Sequence, residues 1–237
     1  MKNRRQGQSQ VLTKEEIKRV VQFQKNSRHS VRNLCLVNMS LFTGMRVGEV
    51  SQLKLKDVVN ENWELKKEVV LRKEYTKTKK NRVIYLVHPE VRKSLEEYIG
   101  DRRKMEIVKE PRKPLEKPSA SLNPVIQKMK QEVLKKKQKF ARQPLEKPLF
   151  ISQKNSAFSP RSLQRLYKQM MKSVGLDEMC SSHSFRRTFI TNLITQGIDI
   201  KTVSTLAGHS SVQTTVDVYA VANPNKMENV CRNININ

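Results

Sequence analysis

Residues 182–219 carry the pattern that decides the fold, and they read SHSFRRTFITNLITQGIDIKTVSTLAGHSSVQTTVDVY. Apolar side chains recur at helical spacing from Phe185 to Thr195, which predicts a helix with one buried face. Gly197 is expected to end that helix. A second, short apolar pattern follows and stops at Gly208. The stretch therefore predicts two helices and then a polar turn.

Two histidines, two adjacent arginines and one tyrosine stand within this helical pattern. His183 and Arg186 are three residues apart, so both can point to the same side of the first helical turn. His209 directly follows Gly208, and Tyr219 comes ten residues later. Each residue taken singly has an ordinary structural explanation. Packing needs alone do not readily produce their joint order, so the stretch is interpreted as a candidate active site.

This order resembles the C-terminal motifs of the tyrosine recombinases, the phage integrase family. Residues 183–186 are similar to the family's His-x-x-Arg box, and residues 206–209 are similar to its Leu-x-Gly-His box. The resemblance implies that Tyr219 is the nucleophile. It also implies that His183 assists proton movement at the tyrosine and that His209 donates a hydrogen bond to the scissile phosphate.

A further motif of the family occurs upstream, where residues 43–49 read TGMRVGE. The glycine permits a tight turn, and a new helix is expected to start at Arg46, where backbone N–H groups favour an anion. The segment is similar to the family's Thr-Gly-x-Arg-x-x-Glu box. The resemblance implies that Arg46 and Arg186 are the two catalytic arginines and that Glu49 supports the first of them.

The apolar period changes between Val58 and Val87, which predicts three short strands separated by two turns. Several lysines lie on the second turn, within TKTKKNR at residues 76–82. Their default interpretation is solubility or contact with nucleic-acid phosphates. In the resembled family, one lysine of this hairpin is the general acid for the leaving hydroxyl. The resemblance implies Lys77 for that role, with Lys79 as the alternative.

Other basic residues are predicted to contact DNA: Lys79, Lys80, Arg82, Arg187, Lys135, Lys136 and Lys137. The last three lie in a Lys/Pro-rich insert at about 101–148, which contains Pro-Leu-Glu-Lys-Pro at 114–118 and again at 144–148. The insert either tracks DNA phosphates or is a solvated linker, and the composition favours neither. The resembled family has a much shorter linker at this position.

The chain of 237 residues has 47 Lys and Arg against 22 Asp and Glu, a formal net charge of +25. Such an excess indicates a polyanionic partner, most often nucleic acid, although a ribosome-associated protein would share it. Aromatic residues make up only 5% of the chain, which disfavours a single-strand binder that stacks bases. The composition therefore favours a nucleic-acid partner, and the resemblance implies that this partner is double-stranded DNA.

The N-terminus MKNRRQGQSQ lacks the apolar segment of a secretory signal, and no run of about 18 apolar residues predicts a membrane span. The three cysteines, Cys35, Cys180 and Cys231, are scattered and odd in number, which fits a reduced cytoplasm. Their spacing offers no metal site. The sequence predicts a cytoplasmic, DNA-associated protein without a metal or another cofactor.

The predicted fold class is α+β, a mainly α-helical catalytic domain with a small three-stranded antiparallel β-sheet. This domain is expected to span residues 11–222, between a disordered basic tail at 1–10 and a C-terminal tail at 223–237. The resemblance implies a short, single-domain member of the family, without the separate core-binding domain that most members use to close around DNA.

The resemblance implies a site-specific DNA recombinase that cleaves and rejoins strands through a covalent 3′-phosphotyrosine, without metal or ATP. It also implies a homotetramer on two duplexes, and it leaves room for accessory DNA-bending or directionality proteins. Two alternatives stay open. One is a strand-swivelling topoisomerase with the same chemistry, and the other is a non-catalytic DNA-binding relative that acts as an accessory protein.

Overall fold

The computed structural model describes residues 9–76, 81–108, 144–176 and 180–219. Residues 1–8 of the predicted N-terminal tail, the whole predicted C-terminal tail, and the lysines at 77, 79, 80 and 135–137 lie outside these ranges. The regular elements, in chain order, are α1 Lys14–Lys25, α2 Ser30–Thr43, α3 Val47–Gln52, α4 Leu55–Val58, β1 Glu68–Leu71, β2 Arg82–Tyr85, α5 Pro89–Val108, α6 Pro160–Lys172, α7 Ser182–Thr195, α8 Ile200–Ala207 and α9 Val212–Tyr219. A 3₁₀ turn at Pro144–Glu146 precedes α6. The predicted α+β class is confirmed.

Helix α2 lies at the centre of the domain, where it packs against α1, α5 and α7. Its apolar side chains are completely buried at Leu36, Val37 and Met39. Tyr167 of α6 is also buried, and its hydroxyl donates to the Leu36 carbonyl at 3.0 Å. The burial of each such side chain contributes about 1.5–3 kcal/mol. The core therefore fixes the middle of α2, and the C-terminal end of this helix leads into the TGMRVGE turn.

The sheet has two strands in the described ranges, paired antiparallel with Val69 opposite Ile84. The predicted third strand, in the segment that follows Val58, is wrong. Asp57 accepts a hydrogen bond from the Lys54 backbone N–H at 2.8 Å, so the short helix α4 forms and includes Val58, where the strand is predicted to start. Trp63 then has a φ of 65°, which interrupts extended backbone, and only an isolated bridge between Val59 and Leu65 forms across this turn.

Local capping sets the start of α7 earlier than the apolar pattern predicts. The Ser181 hydroxyl accepts from the His183 backbone N–H at 3.1 Å, so the helix begins at Ser182 and not at Phe185. Helix α7 packs against α8 through a small apolar cluster of Ile190, Val203 and Ala207. This cluster packs α8 against the middle of α7.

Helix α5 extends into the predicted insert and is described as far as Val108. Within this extension, Arg102 and Glu106 form an ion pair at 3.3 Å in which both side chains are only 2% exposed. Lys147 also contacts Glu106, and its carbonyl accepts from the Leu55 backbone N–H at 3.0 Å. Both ends of the insert are therefore fixed to the body of the domain. Residues 109–143 lie outside the described ranges.

In the part of the chain that the structure describes, none of the helices combines the length and apolarity needed to cross a membrane. The same residues contain no cluster of three His, Cys, Asp or Glu side chains that could hold a metal ion.

Candidate active site

The C-terminal end of α8 gathers three arginines from three different parts of the chain. The last carbonyls of a helix have no partner within the helix, and the negative end of the helix dipole favours cations there. Three successive carbonyls each accept one guanidinium N–H: Leu206 from Arg82 at 2.8 Å, Ala207 from Arg186 at 2.6 Å and Gly208 from Arg46 at 2.9 Å. The helix end therefore collects positive charge beside His209.

Arg46 precedes α3 as its N-cap residue and is held by Glu49. One carboxylate oxygen accepts from the Arg46 backbone N–H at 2.8 Å, and the other accepts from its Nη1 at 3.0 Å. The Glu49 side chain is 1% exposed, whereas the Arg46 side chain is 21% exposed. Arg46 is thus fixed from the protein side and still reaches the surface, as a residue that binds an external anion must.

Arg186 is the most enclosed member of the set, with 4% exposure. Its Nη1 donates to the Gly44 carbonyl at 2.5 Å, so α7 and the TGMRVGE turn meet at this guanidinium. Gly44 has a φ of 61°, and a Cβ at this position would lie 2.3 Å from the ring of Phe189. Only glycine allows both this backbone conformation and this close approach.

Arg82 lies inside the site, contrary to its predicted role at the DNA surface. It pairs with Glu49 at 2.6 Å, and its side chain is 8% exposed. The two-residue period of β2 explains this, because Arg82 shares the inward face of the strand with buried Ile84. The alternation of inward and outward residues along β2 is visible in the sequence and could have predicted this position. The many basic residues of the hairpin instead favoured an interpretation as phosphate contacts.

His209 follows the helix end, and its ring is oriented by Thr215 of α9, whose Oγ1 lies 2.7 Å from the histidine Nδ1. Burial lowers the pKa of His209, and together with the positive charges of Arg186, Arg46 and Arg82 it brings this pKa to about 4. The imidazole is therefore neutral at pH 7. Sequence reasoning missed Thr215, although its place four residues before Tyr219 put it on the same helix face.

His183 occupies the first turn of α7, one turn before Arg186, and its side chain is exposed. It lines a shallow groove together with three basic side chains of α6, Arg161, Arg165 and Lys168. The groove thus extends the positive surface away from the buried arginines. Of the other predicted DNA contacts, Arg187 is half-buried on α7 and its role remains a prediction.

Tyr219 is the last residue of α9, which packs against α8 and α7. The helix backbone is described at this position, and the tyrosine side chain lies outside the described part of the structure. Lys77 and its alternative Lys79 lie outside it as well. The structure thus brings Arg46, Glu49, Arg186 and His209 together, and it leaves the predicted roles of the tyrosine and the lysine as predictions.

Comparison with known proteins agrees with this arrangement. The model of the phage integrase family matches residues 10–226. The tyrosine recombinase XerC of Thermodesulfovibrio yellowstonii is 25% identical over 205 residues, which cover 86% of this chain and 55% of the relative. A XerC-like tyrosine recombinase of Caldanaerobacter subterraneus subsp. tengcongensis is 24% identical over 230 residues, 95% of this chain and 54% of that protein. The chain spans about half the length of these curated relatives.

Solved structures show the same fold. The crystal structure of XerA recombinase has a TM-score of 0.64 and 21% identity, and the match covers 98% of this chain and 68% of that one. XerH site-specific recombinase, bound to difH substrate, has a TM-score of 0.60 and 21% identity, with coverage of 99% and 57%. Because the family model spans all the boxes that build the site, this chain belongs to the phage integrase family of tyrosine recombinases.

Proposed function

We propose that this chain is a site-specific DNA recombinase, a strand transferase that cleaves and rejoins double-stranded DNA through a covalent 3′-phosphotyrosine. The observation that carries the proposal is the convergence of Arg46, Arg186 and His209 at one helix end. A phosphoryl transfer needs charge stabilisation and alignment, and these groups supply both without a metal.

The arginines act on the non-bridging oxygens of the scissile phosphate. A guanidinium carries five N–H donors, stays charged and can offer two parallel hydrogen bonds to a phosphate. The protein contacts of Arg46 use one N–H toward Glu49 and one toward Gly208, so donors remain on a side chain that is partly exposed. Arg46 therefore binds the phosphate from a preset orientation.

His209 adds a neutral hydrogen-bond donor. If the Thr215 hydroxyl donates to Nδ1, the imidazole proton lies on Nε2 and is offered to a phosphate oxygen. The lowered pKa of about 4 keeps the ring from carrying a second proton at neutral pH. Thr215 is completely buried, so the ring orientation is fixed before DNA binds.

In the covalent step the phenolic oxygen of Tyr219 attacks phosphorus, and the bond from phosphorus to the 5′-oxygen breaks. The phenolic proton passes toward His183, and Lys77 protonates the departing 5′-oxygen, with Lys79 as the alternative donor. The 5′-hydroxyl of a partner strand then attacks the phosphotyrosine and the protons return. Each bond that breaks is replaced by a similar phosphoester, so ATP is not required. The arginines and His209 supply the charge stabilisation for which other enzymes use a metal, so the proposed mechanism needs no metal or other cofactor.

Double-stranded DNA is the proposed substrate, and the net charge of +25 supports it. XerH, one of the structural relatives, is bound to its difH substrate. The exposed arginines and lysine of the groove on α6 extend the basic surface beyond the arginine cluster. A homotetramer on two duplexes, accessory DNA-bending or directionality proteins, and a DNA-associated place in the cytoplasm complete the proposal.

A pool of nicked duplexes with randomised central base pairs tests the proposal. When a nick lets the short leaving strand diffuse away, religation fails and a protein–DNA adduct accumulates that resists denaturation. The wild-type chain is expected to form this adduct with a subset of the pool. Tyr219→Phe is expected to abolish it, whereas Tyr85→Phe, which changes a partly exposed tyrosine of β2, is expected to keep it.

The outcomes separate the alternatives. Adducts with one recovered sequence support a site-specific recombinase. Adducts without sequence preference, together with relaxation of supercoiled plasmid, identify a strand-swivelling topoisomerase. DNA binding without any adduct, in wild-type and Tyr219→Phe chains alike, identifies a non-catalytic relative and contradicts the proposal.

A further inference from the structure

Arg82 joins three parts of the site with a single side chain. Its Nη2 contacts Glu49 at 2.6 Å, and its Nη1 donates to the Leu206 carbonyl at 2.8 Å. Glu49 belongs to α3, Leu206 to the end of α8, and Arg82 itself to β2, directly after the hairpin turn. One guanidinium therefore connects the support of the first catalytic arginine with the turn that carries His209.

The packing around Gly208 shows how closely Arg82 is fitted. A Cβ at Gly208 would lie 2.5 Å from the Arg82 Cδ and 2.8 Å from its Nη1, so the space a side chain would need there is filled by the arginine. The carbonyl of the same glycine accepts from Arg46 at 2.9 Å. Arg82 and Arg46 thus hold Gly208 from two sides, and both are bonded to the carboxylate of Glu49.

The pairing of Arg82 with a buried carboxylate argues against a direct DNA contact. Its side chain is 8% exposed, and the carboxylate beside it is 1% exposed. A buried charge that is already paired and hydrogen-bonded gains little by turning toward phosphate, because the Glu49 carboxylate would lose one of its two arginine partners. Arg46, in contrast, is 21% exposed and faces outward from the same carboxylate.

We propose that Arg82 is a positioning residue, which keeps Arg46, through Glu49, in register with the turn from Leu206 to His209. The inference rests on the proposed recombinase function. Arg82 does not touch the scissile phosphate; it sets the distance between two groups that do. A planar guanidinium suits this task because it has several donors in fixed directions, whereas a lysine has one compact ammonium on a flexible stem.

The test compares R82Q and R82K with R72Q, which removes a positive charge from an exposed position next to β1 in the same hairpin. Single-turnover cleavage is measured at saturating DNA with the duplex selected by the wild-type chain. R82Q is expected to lose about 10²-fold in rate, since a misplacement of about 1 Å has an effect of that size. R72Q is expected to cleave at the wild-type rate.

R82K keeps the positive charge, but its ammonium group can reach only Glu49 or the Leu206 carbonyl and not both. Its cleavage rate is therefore expected to lie between those of R82Q and the wild type.

DNA affinity distinguishes positioning from phosphate contact. A positioning role predicts that R82Q and the wild type have the same Kd and the same dependence of binding on salt. If R82Q instead binds more weakly, with a salt slope reduced by about one, and cleaves at the wild-type rate when saturated, Arg82 contacts a phosphate and the inference is wrong. An R82K chain that matches the wild type shows that charge alone suffices, and this also overturns the inference.

R82Q could also slow cleavage by disturbing the general-acid lysine of the neighbouring hairpin. A substrate whose leaving group needs no general acid separates this effect from positioning. With a 5′-bridging phosphorothiolate, the departing sulfur leaves without protonation. R82Q is expected to cleave this substrate slowly as well, because Arg82 positions Arg46 and His209, which bind the phosphate. Cleavage by R82Q at the wild-type rate would contradict the inference. Circular dichroism at the assay temperature checks that each variant is folded, and R82K carries the test if R82Q does not fold.

Failure of the proposed function has a different signature. If the wild-type chain forms no adduct, the recombinase proposal fails. The positioning role of Arg82 can then be tested without an activity assay, by NMR. The chemical shift of the Arg46 Nε–H is expected to change in R82Q and R82K and to stay the same in R72Q. An unchanged resonance in R82Q refutes the positioning claim.

Discussion

Replacing Glu49 by glutamine tests the support of the active site most sharply. The carboxylate is 1% exposed and is shared by Arg46 at 3.0 Å and Arg82 at 2.6 Å. The amide of glutamine keeps the size of the side chain but removes its charge. It also turns one acceptor into an N–H donor that faces a guanidinium, so at least one contact becomes repulsive.

The size of the effect follows from burial. Removing one partner of a buried ion pair costs about 3–5 kcal/mol, because an uncompensated charge stays inside. Arg82 is 8% exposed and loses its partner almost fully, whereas Arg46 is 21% exposed and recovers part of the loss from water. The lower end of the range therefore applies, and Glu49→Gln is expected to lower the free energy of unfolding by about 3 kcal/mol.

Equilibrium unfolding in urea measures this change, and Glu96→Gln is the matched control. Glu96 also pairs with an arginine, Arg92, but at 3.7 Å and with 60% exposure, and surface pairs contribute about 0–1 kcal/mol. The slope with urea should be unchanged in both variants, since each unfolds the same surface. Equal losses in the two variants would refute the claim that the buried carboxylate supports the site.

The remaining predictions concern pH, the tight turn and the base of the insert. Stability is expected to fall as the pH drops from about 6.5 toward 4, because the pKa of His209 is about 4 when folded and the unfolded chain binds the proton first. Unfolding at stepped pH tests this, and a His209→Gln chain with the same slope would contradict it. Gly44→Ala is expected to lose more than about 1 kcal/mol, since a Cβ would meet the Phe189 ring at a positive φ; an unchanged melting temperature would contradict it. Glu106→Gln is expected to lose about 3 kcal/mol through the buried pair with Arg102, measured by urea unfolding, and a loss below 1 kcal/mol would show that the pair is solvated.

Much of the fold could be predicted because its signals are local. Thr13 caps α1 by accepting from the Glu16 backbone N–H at 3.2 Å, as the spacing of the two residues predicts. Gly208 ends α8 in the left-handed conformation, also as predicted. The third strand was predicted wrongly because α4 takes up Val58 and the positive φ of Trp63 limits the pairing that follows to one bridge between Val59 and Leu65.

The members of the site could be predicted, but their connections could not. Arg46 and Arg186 stand in recognisable motifs. The three carbonyls that accept from the arginines belong to the backbone, and since every residue has a carbonyl, the residue types do not predict these contacts. Arg82 was placed at the DNA surface because its charge was considered without the period of its strand. Thr215 was overlooked because a lone threonine near a histidine becomes meaningful only when the turn brings the two together.

Identification of the residue that carries the DNA tests the central claim most directly. The adduct formed on the nicked duplex can be digested with nuclease and protease, and the peptide that retains a 3′-nucleotide can be sequenced by mass spectrometry. Convergence of Arg46, Arg186 and His209 at the end of α8 predicts that the nucleotide is attached to Tyr219. Attachment to any other residue, or an adduct that still forms in Tyr219→Phe, would contradict the account.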